Sequence, residues 1–441
     1  MTTILILGAG RSSSVLIQYA LTNAQSLDWS VTVGDVSLAV AQEKVKGNSR
    51  GKAIAFDVND SENSDQAIRE ADIVISILPA HFHVLVALKC LAFKKHLLNA
   101  SYVSDEMRAL DSDAKKNHLL FLNECGLDPG IDHMSAMQVI DRIHAEGGKL
   151  ISFESFTGGL IAPETDPENP WRYKFTWNPR NVVMAGQSTA KYIDGGKFKY
   201  IPYQQLFQRT TAVSVPGLGD YEGYANRDSL KYIETYHLRD IQTMLRGTLR
   251  NKGYCAAWNI LVQLGCCDDS YLMEGVESMT HSSFVNSFLP SSAANAVKDA
   301  ISKRFTLSKT SPEIEKLVWS GFFNDEAVGL KQGTPAQITE HILNKRWALK
   351  PTDKDQIVMW HRFSYNSNGS TKEIQSSLVA TGNDSVATAM AKTVGLPLGI
   401  VAKLLTQQKI SSRGVVIPTD REFYEPVLKE LQTLGVVFTE I

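Results

Sequence analysis

Residues 4–15 read ILILGAGRSSSV: an apolar run, two glycines one residue apart, then an arginine and three serines. A buried strand that breaks at Gly-x-Gly and continues as a helix opens a βαβ unit. Gly8 permits the tight turn, and Gly10 lets backbone approach an anion on the N-terminus of the following helix. Ser13 stands where a third glycine usually permits close helix–strand packing; its small side chain weakens that pattern without breaking it. Two glycines also make an ordinary turn, so the surrounding sequence has to decide.

Five further apolar runs follow: WSVTVGD (29–35), GKAIAFDV (51–58), ADIVISILP (71–79), KHLLNASYV (95–103) and LLFLNECGLDPG (119–130), spaced by amphipathic stretches. Short strands alternating with helices predict a parallel, doubly wound sheet over residues 1–130. Beyond GLDPGIDHMSAMQVIDRIHAEGGK the texture changes. LISFESFTGGL (150–160) and KYIPYQQL (199–206) read as strands, and DQIVMWHRFSY (355–365) and EIQSSLVATG (373–382) restore strand character later. Between them SAANAVKDAISKRF (292–305) and SPEIEKLVWSGFF (311–323) read as helices. The fold class is therefore α/β: a Rossmann-like parallel sheet, an α+β domain over 131–264 and 351–384, and a small helical insertion over 265–350. Two helical stretches, SVATAMAKTVGLPLGIVAKLLTQ (385–407) and FYEPVLKELQTL (423–434), close the chain.

A doubly wound sheet binds ligands beyond the C-terminal ends of its strands. Gly8, Gly10, Arg11, Ser12 and Ser13 would cradle a pyrophosphate there. Asp35 ends the second run, where a carboxylate accepts hydrogen bonds from both ribose hydroxyls and repels a 2′-phosphate. This favours NAD as the cofactor, with NADP possible because Arg11 adds a cation near the phosphates. The bland reading of Asp35 is a cap on the next helix. Asp57 and Val58 end the third run, where adenine rests, or simply enter a turn. Leu78 and Pro79 end the fourth and should border the nicotinamide ribose. His81 and His83 begin the next helix, where a histidine more often caps or faces solvent than catalyses.

Composition narrows the partners. At 43% hydrophobic, 21% charged and a net charge of −2, the chain carries no basic field for nucleic acid. No secretory signal or membrane-length apolar stretch is evident, so no membrane partner is expected. Cys90, Cys125, Cys255, Cys266 and Cys267 form no CxxC pair. A reducing cytoplasm and no metal site are the expectation.

The segments NASYVS, NECGLDPGIDH, YANRDSL and RGTLR, with the ending ISSRGVVIPTDREFYEPVLKELQTLGV, resemble the saccharopine dehydrogenases of the glutamate-forming kind, also called saccharopine reductases. The similarity runs through the whole chain. It implies that residues from about 385 to 441 complete the Rossmann-like domain, that the α+β domain serves substrate and dimerisation, and that the protein is a homodimer. By motif, Ser101, Tyr102 and Asp128 resemble substrate contacts near the nicotinamide, and Leu127, Asp128 and Pro129 a turn touching the cofactor. Arg227, Thr248, Leu249 and Arg250 resemble positions holding substrate carboxylates. Asn178 falls where fungal members place a serine against the cofactor. Two departures stand out. Fungal NADP enzymes carry an arginine-containing segment where this chain has GDVS, and a cysteine proposed for acid–base work where this chain has Thr157.

Saccharopine joins a glutamate and a lysine skeleton through one secondary amine and carries three carboxylates. Arginine forks suit carboxylates, and Arg227 and Arg250, with Arg246 as a third candidate, supply them, unless they pair with Asp228, Glu234 or Asp240. Oxidation of the amine needs a proton acceptor, then a group to assist water. Asp128 and Tyr102 are the candidate catalytic residues; Asp128 could also serve only to bind the substrate amine. His133 either orients Asp128 or packs in its helix. The expected activity is interconversion of saccharopine with L-glutamate and 2-aminoadipate 6-semialdehyde. The alternatives are a carboxynorspermidine dehydrogenase-like enzyme and a non-catalytic NAD(P)-binding sensor.

Overall fold

The structure, a computed structural model, describes residues 1–185, 187–290 and 297–441. The chain divides into two compact units, Met1–Lys149 with Leu378–Thr439, and Leu150–Ser377 with Glu440–Ile441.

The first unit is built on β1 (Thr2–Leu7), β2 (Trp29–Asp35), β3 (Gly51–Ala55), β4 (Ile73–Ser76), β5 (His96–Asn99) and β6 (Leu120–Leu122). With Gly414–Val416 they form a seven-stranded sheet in the order Gly414–Val416, β6, β5, β4, β1, β2, β3, every pair parallel. Ile4, Ile6, Val31, Val33, Val74, Leu97, Leu98 and Phe121 are fully buried. Burial of both sheet faces is why these strands read as continuous apolar runs. Strand order reverses at β1, which lies between β2 and β4, and the C-terminal ends of β1 and β4 therefore frame the crevice of a doubly wound sheet.

Helix Ile131–Ala145 belongs to this unit, although the sequence places a boundary at 130. Tyr424 Oη in helix Arg421–Thr433 donates to Asp141 Oδ2 at 2.7 Å, a tie to the far end of the chain that local texture cannot show. Helix Ala389–Thr406 is long and apolar enough to cross a membrane by length and composition, which the sequence reading did not expect; 78% of it is buried inside the protein.

The second unit holds β7 (Lys149–Ile161), β8 (Ala190–Asp194), β9 (Lys197–Ile201), β10 (Thr210–Val215), β11 (Gly219–Ala225), β12 (Thr243–Asn251), β13 (Asp355–Ser367) and β14 (Ser370–Thr381). Its mixed sheet runs β10, β11, β12, β7, β13, β14, with β12 parallel to β7 and antiparallel to β11. Ile441 exchanges main-chain hydrogen bonds with Gln375 at its edge. The stretch KYIPYQQL is half strand only: β9 stops at Ile201, Pro202 has no N–H for the ladder, and Tyr203–Leu206 turn as a helix.

Helices Pro312–Trp319 and Pro335–Trp347 share one core with the sheet, in which Trp347 packs against Trp171 at 5.3 Å and stacks on Trp258 at 5.9 Å between ring centroids. The described residues of 265–290 and 297–350 thus contribute to the second unit's core, because their apolar faces have this aromatic cluster to bury against. Of the helix read over 292–305, Val297–Arg304 is helical; residues 292–296 lie outside the described residues.

Candidate active site

In the first unit Gly8 sits at φ +98°, and a Cβ there would come within 3.0 Å of the Ile77 carbonyl oxygen beyond β4. Both conformation and contact require glycine. Gly10 differs: its φ is −69°, and a Cβ would meet no protein atom within 4 Å. Glycine at that position leaves room over the start of the helical segment Arg11–Asn23, where backbone N–H groups attract an anion. Ser13 is fully buried and its hydroxyl donates to the Gly10 carbonyl at 2.9 Å, so it fastens the turn. Arg11 is exposed and Ser12 half-buried.

Asp35 Oδ2 accepts the Ala9 N–H at 2.8 Å and its Oδ1 accepts the Ser37 N–H at 2.9 Å. Its carboxylate therefore lies against the Gly-Ala-Gly turn, and each oxygen retains acceptor capacity for a ribose hydroxyl. Asp57 faces its own turn, accepting from the Asn59 main-chain N–H and side-chain amide, and Val58 is buried in the core. Leu78 is half-buried and Pro79 exposed at the sheet's C-terminal edge. The open space at Gly10, the helical N-terminus and the Asp35 carboxylate fit a dinucleotide.

The loop after β6 is folded tightly on itself. Gly126 N–H donates to the Pro129 carbonyl at 2.9 Å and Ile131 N–H to the Gly126 carbonyl at 2.8 Å, with a cis Asp128–Pro129 peptide between. Gly130 has φ +148°, and a Cβ would overlap the Gly126 backbone at 2.1 Å. Leu127 and Pro129 are buried, leaving the half-buried Asp128 side chain as the polar group of the turn. Tyr102 Oη donates to Asp128 Oδ1 at 3.2 Å, so these two candidate catalytic groups are together.

A buried acid–imidazole–acid set braces that loop. Glu124 Oε2 lies 2.9 Å from His133 Nε2 and its Oε1 accepts the Val103 N–H at 3.0 Å. On the other side, Asp132 Oδ2 lies 3.7 Å from His133 Nδ1, and its Oδ1 accepts the Gly130 N–H at 2.6 Å. His133 thus spans residues on both sides of Asp128. His83 departs from the sequence reading of a cap. It is buried, with Nδ1 at 3.0 Å from Ser76 Oγ and Nε2 at 2.8 Å from Ser101 Oγ; burial, and then the charge of His81, holds it down to about 4. Nothing in the local pattern of ISILPAHFH indicates that bridge.

In the second unit Arg250, near the end of β12, is 5% exposed. Its guanidinium lies 5.0 Å from the Tyr173 ring centroid, 5.2 Å from Tyr254 and 5.8 Å from Tyr224. Nη1 donates to the Leu249 carbonyl at 2.9 Å, while Nε is buried with no hydrogen-bond acceptor. Burial pushes the Tyr173 phenol up to about 12, so the cage supplies aromatic faces and no counter-charge. Arg246 lies 4.2 Å from the Tyr232 ring centroid. Arg227 is exposed at φ +52°, its carbonyl accepting the Lys191 N–H.

Thr248 pairs in register with Thr157 of β7, whose hydroxyl is buried without a hydrogen-bond partner; Leu249 is fully buried. Asn178 is exposed and caps helix Pro179–Val183 through the Arg180 and Asn181 N–H groups. The sequence pointed to the arginines; the tyrosines around Arg250 come from β11, helix Tyr254–Leu264 and the segment before Asn178, separations that only folding closes. Among the described residues no group of three or more His, Cys, Asp and Glu is arranged to hold a metal ion.

Comparison with known proteins finds two adjoining family models along the chain. The family model described as the saccharopine dehydrogenase NADP binding domain matches residues 4–122, and that described as the saccharopine dehydrogenase C-terminal domain matches residues 126–436. Saccharopine dehydrogenase [NADP(+), L-glutamate-forming] of Schizosaccharomyces pombe is 30% identical over 100% of this chain and 99% of its own length. Alpha-aminoadipic semialdehyde synthase of Arabidopsis thaliana is 34% identical over 96% of this chain, which spans only 41% of that protein. The chain thus spans less than half the length of such larger relatives. Apo histidine-tagged saccharopine dehydrogenase (L-Glu forming) from Saccharomyces cerevisiae superposes with a TM-score of 0.88 at 30% identity, covering 100% of this chain and 99% of that one.

Proposed function

The chain belongs to the saccharopine dehydrogenase family, and from that premise we propose that it oxidises saccharopine at its secondary amine, releasing L-glutamate and 2-aminoadipate 6-semialdehyde, or runs the reverse reductive condensation. The observation that carries this reading is Arg250: a buried cation set against tyrosine rings, with no carboxylate within ion-pair distance among the described residues. A desolvated guanidinium gains strongly from an anion that reaches it. A substrate with three carboxylates supplies one. Arg250 takes one carboxylate, with Thr248 and the Leu249 backbone beside it, and the exposed Arg227 takes another.

A nicotinamide dinucleotide bound by Gly8, Gly10, Arg11 and Ser12, with Asp35, Leu78, Pro79, Leu127, Pro129 and Asn178 as its further contacts, supplies the hydride acceptor. The residues of the chain handle protons. Asp128 takes the proton of the secondary ammonium and later assists water attack on the imine, and Tyr102, already bonded to Asp128, steadies the oxygen that water delivers. Ser101 contacts the substrate beside them. The Thr157 hydroxyl does not ionise near neutral pH, so it does not serve as the acid–base group.

NADP(+) stands in the fungal relatives' names; Asp35 supports NAD here. A carboxylate at the end of β2 suits two free ribose hydroxyls and repels a phosphate. Five buried, free cysteines support a reducing cytoplasm, and a homodimer is proposed on the family resemblance. The test is direct: saccharopine with NAD or NADP at alkaline pH, following reduced nicotinamide. Turnover with either supports the enzyme assignment, the ratio reads Asp35, and silence with both removes the assignment.

A further inference from the structure

We infer that His83 is the positioning residue that fixes the Ser101 hydroxyl as a hydrogen-bond donor toward a substrate oxygen. The inference rests on the proposed role of Ser101 as a substrate contact.

The backbone of Ser101 has little freedom. Its N–H donates to Asn99 Oδ1 at 2.9 Å, and its carbonyl accepts the Glu124 N–H at 3.1 Å. Asn99 is itself tied to Asn123 through Nδ2 and Oδ1 at 2.7 Å. What remains free is rotation about the side-chain bond, and the 2.8 Å contact with His83 Nε2 removes it.

Ser76 decides the direction of the hydrogen bonds. A neutral imidazole carries one N–H donor and one bare nitrogen, so of two serines flanking the ring one must donate and the other accept. Ser76 is fully buried at the end of β4, and among the described residues His83 Nδ1 is the one hydrogen-bond partner of its side chain. If Nδ1 carried the proton, Ser76 would accept it and its own O–H would be buried without an acceptor. An unsatisfied buried donor is costly, whereas spare lone pairs on a hydroxyl are cheap. Ser76 therefore donates to Nδ1, the proton sits on Nε2, and Nε2–H donates to Ser101 Oγ. The Ser101 O–H is then left to point away from the ring. It suits a carboxylate or carbinolamine oxygen as its acceptor.

Three substitutions and one spectroscopic measurement on the full chain test this. Ser101→Ala should raise the KM for saccharopine roughly tenfold, as for one lost charge-assisted hydrogen bond, with cofactor KM unchanged. Asn at position 83 can place an amide nitrogen near Nδ1 but not near Nε2, whereas Gln reaches the Nε2 position. His83→Asn should match Ser101→Ala, the two together should be no worse than Ser101→Ala alone, and His83→Gln should recover most of the loss. Nitrogen-15 spectra of histidine-labelled wild-type protein, with His83 identified by its loss in His83→Gln, should show Nε2 protonated and Nδ1 bare.

If Ser101→Ala leaves the KM unchanged, the substrate role of Ser101 is wrong. If Ser101→Ala raises it while His83→Asn does not, or if Nδ1 carries the proton, the inference is overturned and the substrate role stands. Equal losses of kcat and both KM values in His83→Asn and His83→Gln would reduce His83 to a structural role and overturn it as well.

Discussion

Ala9, the residue between the two glycines of the Gly-Ala-Gly turn, donates its N–H to Asp35 Oδ2 at 2.8 Å. The carboxylate proposed to read the ribose is thus one of the struts that hold the turn. Removing its charge should alter cofactor choice and turn geometry together. Asp35→Asn brings an amide N–H against either Ala9 or Ser37, so one main-chain donor loses its acceptor. Expected is a fall in kcat/KM for NAD of about tenfold, the cost of roughly 1.4 kcal/mol, with a smaller fall or a gain for NADP. Parallel steady-state titrations with both cofactors check it; an unchanged NAD to NADP ratio would remove Asp35 from cofactor selection.

How far the sequence reaches is visible residue by residue. β2 is readable as WSVTVGD because Trp29, Val31 and Val33 are apolar at alternate positions and fully buried, and Asp35 is singled out because ligands lie beyond the strand ends of such sheets. Pro202 ended a strand where the run KYIPYQQL hid the break. His83 was misread, because its neighbours in sequence are those of a helix start while its partners, Ser76 and Ser101, arrive from two other strand ends. The tyrosine cage of Arg250 was invisible for the same reason: Tyr173, Tyr224 and Tyr254 are core aromatics by any local criterion. The candidate site is legible where backbone chemistry dictates residue type, and illegible where long-range packing brings ordinary side chains together.

Arg250→Lys keeps the charge and loses both the planar fork and the stacking on Tyr173 and Tyr254. The KM for saccharopine should rise about a hundredfold, and cofactor KM should not move. Arg227 is exposed, so Arg227→Ala should cost less, and its effect should shrink with added salt, which screens surface charge. Initial-rate measurements at low and high ionic strength separate the two; equal salt sensitivity of both variants would contradict their different burial.

Asp128→Asn separates catalysis from binding. As the acid–base group, Asp128 should carry roughly a hundredfold or more in kcat, with little change in KM. A raised KM with kcat intact would instead assign it to holding the substrate amine. Tyr102→Phe removes the 3.2 Å hydrogen bond to Asp128, and a loss of about three- to tenfold in kcat is expected, in line with one neutral hydrogen bond.

Acid should weaken the first unit through two histidines held neutral. His83 is lowered from 6.5 to about 4 by burial and then by His81; His96 is lowered from 6.5 to about 4 by burial and then by Arg413, its Nδ1 accepting the Leu120 N–H at 3.0 Å. Above pH 6.5 both are neutral whether folded or unfolded, and the stability is fully present. Between 6.5 and 4 the unfolded chain binds protons that the native fold refuses, so stability falls as pH falls, by on the order of 3 kcal/mol for each histidine. Below about pH 4 the native state protonates too and this loss levels off. Urea titrations at intervals from pH 7.5 to 4, followed by tryptophan fluorescence, measure the slope. His83→Gln has no proton to bind, so its slope should be shallower by about one proton, roughly 1.4 kcal/mol per pH unit. An unchanged slope would mean that His83 titrates normally in the folded protein.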